Sequence, residues 1–138
     1  METFKSKFKL KNFVVKSFSI TREPGKQGTA DLDLKPYAIH NPAKRHFQLI
    51  LEIKLKDKQN SYQIDMLAMG NFEFQKGLEQ QELTGYFLTN APALIFPYVR
   101  SYISAVTALS GLSAINLPVM NLSSLKPLLQ ANISVVDE

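Results

Sequence analysis

Residues 90–125 read NAPALIFPYVRSYISAVTALSGLSAINLPVMNLSSL, and this stretch decides the fold. Within it Ile95, Val99, Tyr102, Val106 and Leu109 recur at three- and four-residue steps, which marks one stripe of a long amphipathic helix. Asn90 is the expected N-cap with Pro92 in the first turn, and Ser110-Gly111 closes the helix. Pro97 lies inside it, so a kink is expected near Ala93, or a regular part that starts at about Phe96. The residues off the stripe, Ser101, Ser104, Ala105, Thr107 and Ala108, are mostly small, and Arg100 is the only charge between Ala91 and Leu112. A helix with so little charge on its back is not expected to face water there; it is expected to meet another subunit. Between Asn90 and Leu125 there is no histidine, cysteine or acidic residue to take a proton, hold a metal or attack a substrate.

Downstream, Pro118 keeps Ile115 to Asn121 extended, and a second, short helix follows with Asn121 or Ser123 as cap and Leu122, Leu125, Leu128 and Leu129 apolar. Pro127 limits its length. Upstream, Phe47, Leu49, Leu51, Ile53 and Leu55 alternate with Gln48, Glu52, Lys54 and Lys56, a half-buried strand. Asp57 to Ser61 forms a hairpin loop, and the partner strand turns Tyr62, Ile64, Met66, Ala68, Phe72 and Phe74 inward. Its other face carries Gln63, Asp65, Asn71 and Glu73, but also Leu67 and Met69, an exposed apolar patch by this reading. Phe8 and Leu10 begin another strand, bulged after Asn12 and resumed at Phe18 and Ile20. A crossover loop spans Thr21 to Gly28, a weak strand covers Asp31 to Leu34, and Lys35 to Lys44 is irregular around Pro36 and Pro42. Leu83, Tyr86 and Phe87 are spaced for a short helical turn. No repeat of 20 to 50 residues is present.

The 138 residues suit a single domain, 1–138, with a core that needs neither disulfide nor metal. Sixteen Lys and Arg against twelve Asp and Glu give a net charge of +4, and the apolar share of 45% argues against disorder and against a nucleic-acid arm. The absence of cysteine excludes disulfides, thiolate zinc sites and cysteine nucleophiles. Charges interrupt every apolar run near the N-terminus, so neither a signal peptide nor a membrane span can be drawn, and a cytoplasmic location is the default.

The run Asn90-x-x-x-Leu94-Ile95-Phe96-Pro97-Tyr98-Val99-Arg100 opening one helix, and Leu117-Pro118-Val119-Met120-Asn121-Leu122-x-x-Leu125 opening another, resembles the bacterial export chaperone family SecB. The resemblance covers nearly the whole chain in order of elements, and its specific part is Asn90 to Leu125. It implies an α+β fold, a four-stranded antiparallel sheet with one long and one short C-terminal helix, assembled as a dimer of dimers with the long helices at the centre. It also implies a non-enzymatic holdase that binds unfolded polypeptides along apolar grooves without nucleotide or other cofactor. Adaptable side chains suit such grooves, which makes Leu67, Met69, Met120, Leu122, Leu125, Leu128 and Leu129 the candidate client-binding residues. Tyr98, Arg100, Ser101, Ala105 and Ala108 are the candidate oligomer interface. Two departures stand out: export members have an acidic surface and an extended C-terminal tail for the SecA motor, whereas this chain is net basic and stops at Val135-Val136-Asp137-Glu138; and Ser101 replaces the usual acid. Delivery to SecA is therefore the weaker expectation, and a SecB-like chaperone that guards an antitoxin is the alternative.

Other constellations read as structural. His40 and His46 flank a loop with only Asp57 and Asp65 as expected partners, too few groups for a metal site or a catalytic dyad. Asp31 and Asp33 fit a solvated strand edge. Lys5, Lys7, Lys9 and Lys11, interleaved with Phe4 and Phe8, fit edge protection better than nucleic-acid binding. Gly25 and Gly28 lack the context of a phosphate loop. A third class remains open: an α+β module that closes its helix over a small apolar ligand.

Overall fold

The structure, a computed structural model, describes residues 6–24, 29–111, 113–118 and 120–136. Strands β1 (Phe8–Arg22), β2 (Ala30–Asn41), β3 (His46–Asp57) and β4 (Tyr62–Phe74) pair antiparallel, and a short β5 (Ile133–Val135) adds in parallel to β2. The order is β1-β4-β3-β2-β5, so the chain crosses the sheet between β1 and β2. Gly25 and Gly28 of that crossover lie outside the described residues, as do Phe4 and Lys5. The sheet thus has five strands where four were expected. A three-residue strand carries too little alternation to announce itself.

Alternation placed β3 and β4 correctly. Phe47, Leu49, Leu51, Ile53 and Leu55 are at most 1% exposed, and Tyr62, Ile64, Met66, Ala68, Phe72 and Phe74 join them in one core. β1 shifts register between Leu10 and Asn12, just before the point after Asn12 where a bulge was expected, and again between Val15 and Ser17. β2 is longer than the weak strand drawn at Asp31 to Leu34, because Lys35 to Asn41 pairs with β3 as well. Pro36 is tolerated there by its parity: it shares a side with Ala38, whose N–H points to the outer edge and donates to Asn132 O, so no bond to β3 is lost.

After β4 come α1 (Gln80–Gly85), a π-helical turn (Tyr86–Asn90) and α2 (Ala91–Ala108), without a break. Asn90 is therefore not an N-cap; its backbone is helical and its side chain makes no capping bond. Pro97 lies inside α2 as expected, and Gly111 (φ +86°) ends the turn beyond it. The buried stripe is Ile95, Val99, Ile103 and Thr107, whereas Tyr102 and Val106 are half-buried and Leu109 is 87% exposed. Thr107 is accommodated because its hydroxyl donates to Ile103 O at 2.7 Å and accepts from Ile115 N at 2.7 Å. Arg22 from the end of β1 reaches the C-terminal end of α2, where its guanidinium donates to Ser110 Oγ at 3.3 Å and to the carbonyl of Ser113. A 3₁₀ turn (Leu122–Ser124), with Asn121 Oδ1 accepting from Ser123 N at 3.0 Å, leads into α3 (Leu125–Ala131), which packs on β2.

α2 lies close to the sheet at Gly70, where a Cβ would stand 2.5 Å from Ile95 Cγ2. Gly70→Ala is expected to destabilise by about 1–3 kcal/mol through overpacking. In denaturant titrations the Gly70→Ala, Ile95→Ala double variant should lose less than the sum of the single losses, because removing Ile95 Cγ2 relieves the clash.

Candidate functional site

The helix-side core thins towards β1. Phe8 is buried, but Leu10, Phe13, Val15, Phe18 and Ile20 along the same face are only half-buried, since α2 covers this edge strand incompletely. Phe13 stacks on Tyr98 with ring centroids 5.4 Å apart, and Phe18 meets Tyr102 edge-on at 5.3 Å. Leu94 is 42% and Tyr98 52% exposed, so large apolar side chains of β1 and α2 share one partly uncovered fringe. The sequence hid this set, because alternation marks Phe13 and Phe18 as inward without showing how far the helix reaches over them.

The expected client-binding residues fall into three places. Leu125 and Leu129, one turn apart on α3, are 4% and 0% exposed and belong to the core, which removes them from any surface offered by the single chain. Leu128 on the other side of α3 is 49% exposed, and Met120 and Leu122, which precede α3 in the chain, are half-buried. Leu67 and Met69 lie half-buried on the sheet face that points away from the helices, as their alternation required.

Of the expected interface residues, Arg100, Ser101, Ala105 and Ala108 come together along the back of α2. With Pro97, Ser104, Asn116 and Leu117 they line an open groove of about 560 Å³. Arg100 Nη2 donates to Leu117 O at 3.3 Å and Ser104 Oγ bonds Asn116 Oδ1 at 3.0 Å, so polar contacts within the chain fix the groove wall. Tyr98 is not part of this groove; it faces Phe13.

The titratable groups do not converge. His46 pairs with Glu73 at 3.7 Å rather than with Asp57 or Asp65, and His40 sits against the rings of Phe87 (4.8 Å) and Phe74 (5.6 Å). Asp57 is buried at the end of β3, where its carboxylate accepts from Ser61 Oγ at 2.5 Å and from Ser61 N at 3.2 Å across the β3–β4 turn. Burial, and then the neighbouring Asp57, raises the Tyr62 phenol above its usual range, against the pull of Arg22. Asp31 pairs with Lys58, Lys7 with Glu82 and Lys11 with Glu73, the arrangement of a solvated surface. Among the described residues no group of acids and histidines is placed to hold a metal ion.

Comparison with known proteins fits this geometry. The family described as SecB, preprotein translocase subunit SecB, matches residues 5–127. The chain belongs to the SecB family. Curated relatives named protein-export protein SecB are 26% identical over 102 residues in Anaplasma phagocytophilum (strain HZ) and 24% identical over 100 residues in Anaplasma marginale (strain Florida). Each alignment covers 70% of this SecB-family chain but only 65% and 57% of the respective relatives, so the chain spans less than two thirds of their length. Among solved structures, a SecB-like chaperone from Mycobacterium tuberculosis, in complex with a ChAD peptide from the HigA1 antitoxin, superposes with a TM-score of 0.68 at 20% identity, covering 83% of this chain and 88% of that one. At that identity the likeness establishes the SecB-like fold.

Proposed function

We propose that this SecB-family chain is an ATP-independent holdase of the cytoplasm that binds unfolded or non-native polypeptides through apolar side chains left uncovered by its own fold. The observation that carries the reading is the fringe between β1 and α2, extended by Leu128, Met120 and Leu122 at α3 and by Leu67 and Met69 on the far face. Each large client side chain buried there contributes about 2 kcal/mol, so several together offset the ordering of a disordered segment. The binding demands no reaction chemistry, in keeping with dispersed titratable groups. Assembly as a dimer of dimers through Arg100, Ser101, Ala105 and Ala108 would bring the fringes of several copies within reach of one client.

Between export and the guarding of an antitoxin, the names of the curated relatives favour export. The peptide-bound structural neighbour supports the second reading, a chaperone of a toxin–antitoxin pair. Suppression of aggregation of a chemically denatured client tests the common core of both. Leu128→Asp, at an exposed position, is expected to keep the thermal midpoint and to weaken client holding about tenfold. Full suppression by this variant would remove α3 from the surface; no suppression by the unaltered protein, with saturation by one small apolar molecule instead, would replace the holdase by a ligand-binding module.

A further inference from the structure

On the sheet face away from the helices, the register joins Val14 to Met69, Met69 to Ile50 and Ile50 to Tyr37, so a single apolar row crosses β1, β4, β3 and β2. Leu67 lies in the next row on one side and Ile39 in the next on the other. Val14, Tyr37 and Ile39 are exposed, and Met69, Ile50 and Leu67 are half-buried. On one side of the row the charges are matched in register: Lys54 stands between Asp33 and Asp65, Lys35 opposes Glu52, and Asp31 opposes Lys56. With Lys58 paired to Asp31 at 3.7 Å, four lysines there match four acids, and the region compensates itself.

The other side differs. A ladder of side-chain amides borders the row, with Asn71 Nδ2 donating to Asn12 Oδ1 at 2.7 Å and Gln48 Nε2 donating to Asn71 Oδ1 at 2.9 Å. Beyond the ladder lies a recess of about 400 Å³ whose lining includes Ile39, Gln48 and Asn71 together with Lys11, Lys44, His46 and Glu73. Glu73 is 3.5 Å from Lys11 and 3.7 Å from His46, whereas Lys44 makes no ion pair among the described residues. Among the described residues the recess therefore carries one more lysine than acid, next to an apolar strip.

We propose that this face binds a short apolar polypeptide segment that ends in a carboxylate, with its side chains on the Val14–Met69–Ile50–Tyr37 row, its backbone along the amide ladder and its acid beside Lys44. The inference rests on the reading that the chain binds polypeptides, and it adds a second surface with its own chemistry. Area argues against a second copy as the occupant. The uncovered apolar strip is on the order of 300 Å² and is flanked by charged and amide rows, so it lacks the broad apolar centre of a stable interface of ~800 Å² per partner. Charge disfavours a basic segment, since among the described residues the lining lysines Lys11 and Lys44 outnumber Glu73.

Fluorescence anisotropy with two amidated, fluorescein-labelled peptides tests it, one a run of leucine, valine and phenylalanine ending in aspartate, the other ending in asparagine. The aspartate peptide is expected to bind about fivefold tighter, the weight of one partly screened ion pair, and Lys44→Glu should abolish that preference. Ile50→Asp should weaken both peptides about tenfold or more in a protein that keeps its circular dichroism spectrum and a cooperative thermal transition at a lower midpoint. Leu128→Asp should leave both affinities intact, which separates this site from the surface at α3. Equal affinity for the two peptides, indifference to Ile50→Asp, or a drop in assembly mass in Ile50→Asp would overturn the proposal, the last by assigning the row to a contact between copies. Peptide binding that persists in a protein unable to hold denatured clients would sustain this site and remove the holdase reading alone.

Discussion

Phe87→Ala is expected to lower the unfolding free energy by about 3–5 kcal/mol, a large share of the ~5–15 kcal/mol that holds a domain together. Phe87 belongs to the π-helical turn between α1 and α2 and is 4% exposed. Its ring lies flat on Phe47 at 3.9 Å with a 4° interplanar angle, meets His40 edge-on at 4.8 Å and Phe74 at 5.8 Å, and approaches Phe8 at 6.1 Å. One side chain thus ties the start of the helical layer to all four antiparallel strands, and no neighbour can fill the hole without leaving its own stack. The π turn is what makes this possible, because its wider ring of backbone bonds turns Phe87 towards the sheet while the chain stays helical on both sides. In urea titrations at fixed protein concentration the midpoint should fall with little change in slope. Tyr98→Ala, which trims an equally large ring that is 52% exposed, should cost far less. A loss below about 1 kcal/mol for Phe87→Ala would mean that the turn does not dock as described.

The parts of the fold legible in the sequence are those where one physical preference acts alone. β3 and β4 sit at the middle of the sheet with one face in the core, so strict alternation told which way every side chain points, Leu67 and Met69 included. β2 was read short because Pro36 and Ala38 contribute little apolar signal, although pairing with β3 fixes them as firmly as Leu34. The helix stripe was drawn through Leu109 instead of Thr107 because a pattern of polarity cannot see a hydroxyl whose bonds to Ile103 and Ile115 make it a core residue. Asn90 looked like a cap because the helical state of the preceding Tyr86–Asn90 turn depends on Phe87 packing rather than on propensity. For the candidate surface the limit is similar. Four leucines on and before α3 are equivalent by composition, and only docking against β2 separates the buried Leu125 and Leu129 from the exposed Leu128. The row through Val14, Ile50 and Tyr37 exists only in the register of four strands, which no single segment encodes.

Ala105→Arg is expected to break the proposed assembly while leaving the single chain folded. Ala105 and Ser101 are exposed and one helical turn apart, and with Ala108 they leave the back of α2 without bulk, so another helix can approach closely. Arg100 lines the same groove and is the one charge on α2. A second guanidinium at position 105 would add a long side chain where packing requires a small one and set like charges against each other, at a cost of several kcal/mol per contact. Each 1.4 kcal/mol weakens association about tenfold, so at micromolar concentration light scattering should fall from four times the 15.6 kDa of one chain to one or two times that mass. The thermal transition should persist as a cooperative step, because the substituted position is exposed in the single chain, and Lys58→Glu on the β3–β4 turn should leave the mass unchanged. Client holding should weaken together with the mass, since a polypeptide that spans several fringes gains effective concentration only while the copies stay together. An unchanged fourfold mass would move the interface elsewhere, and an unaltered protein that scatters as a single chain would confine client binding to the surface of one copy.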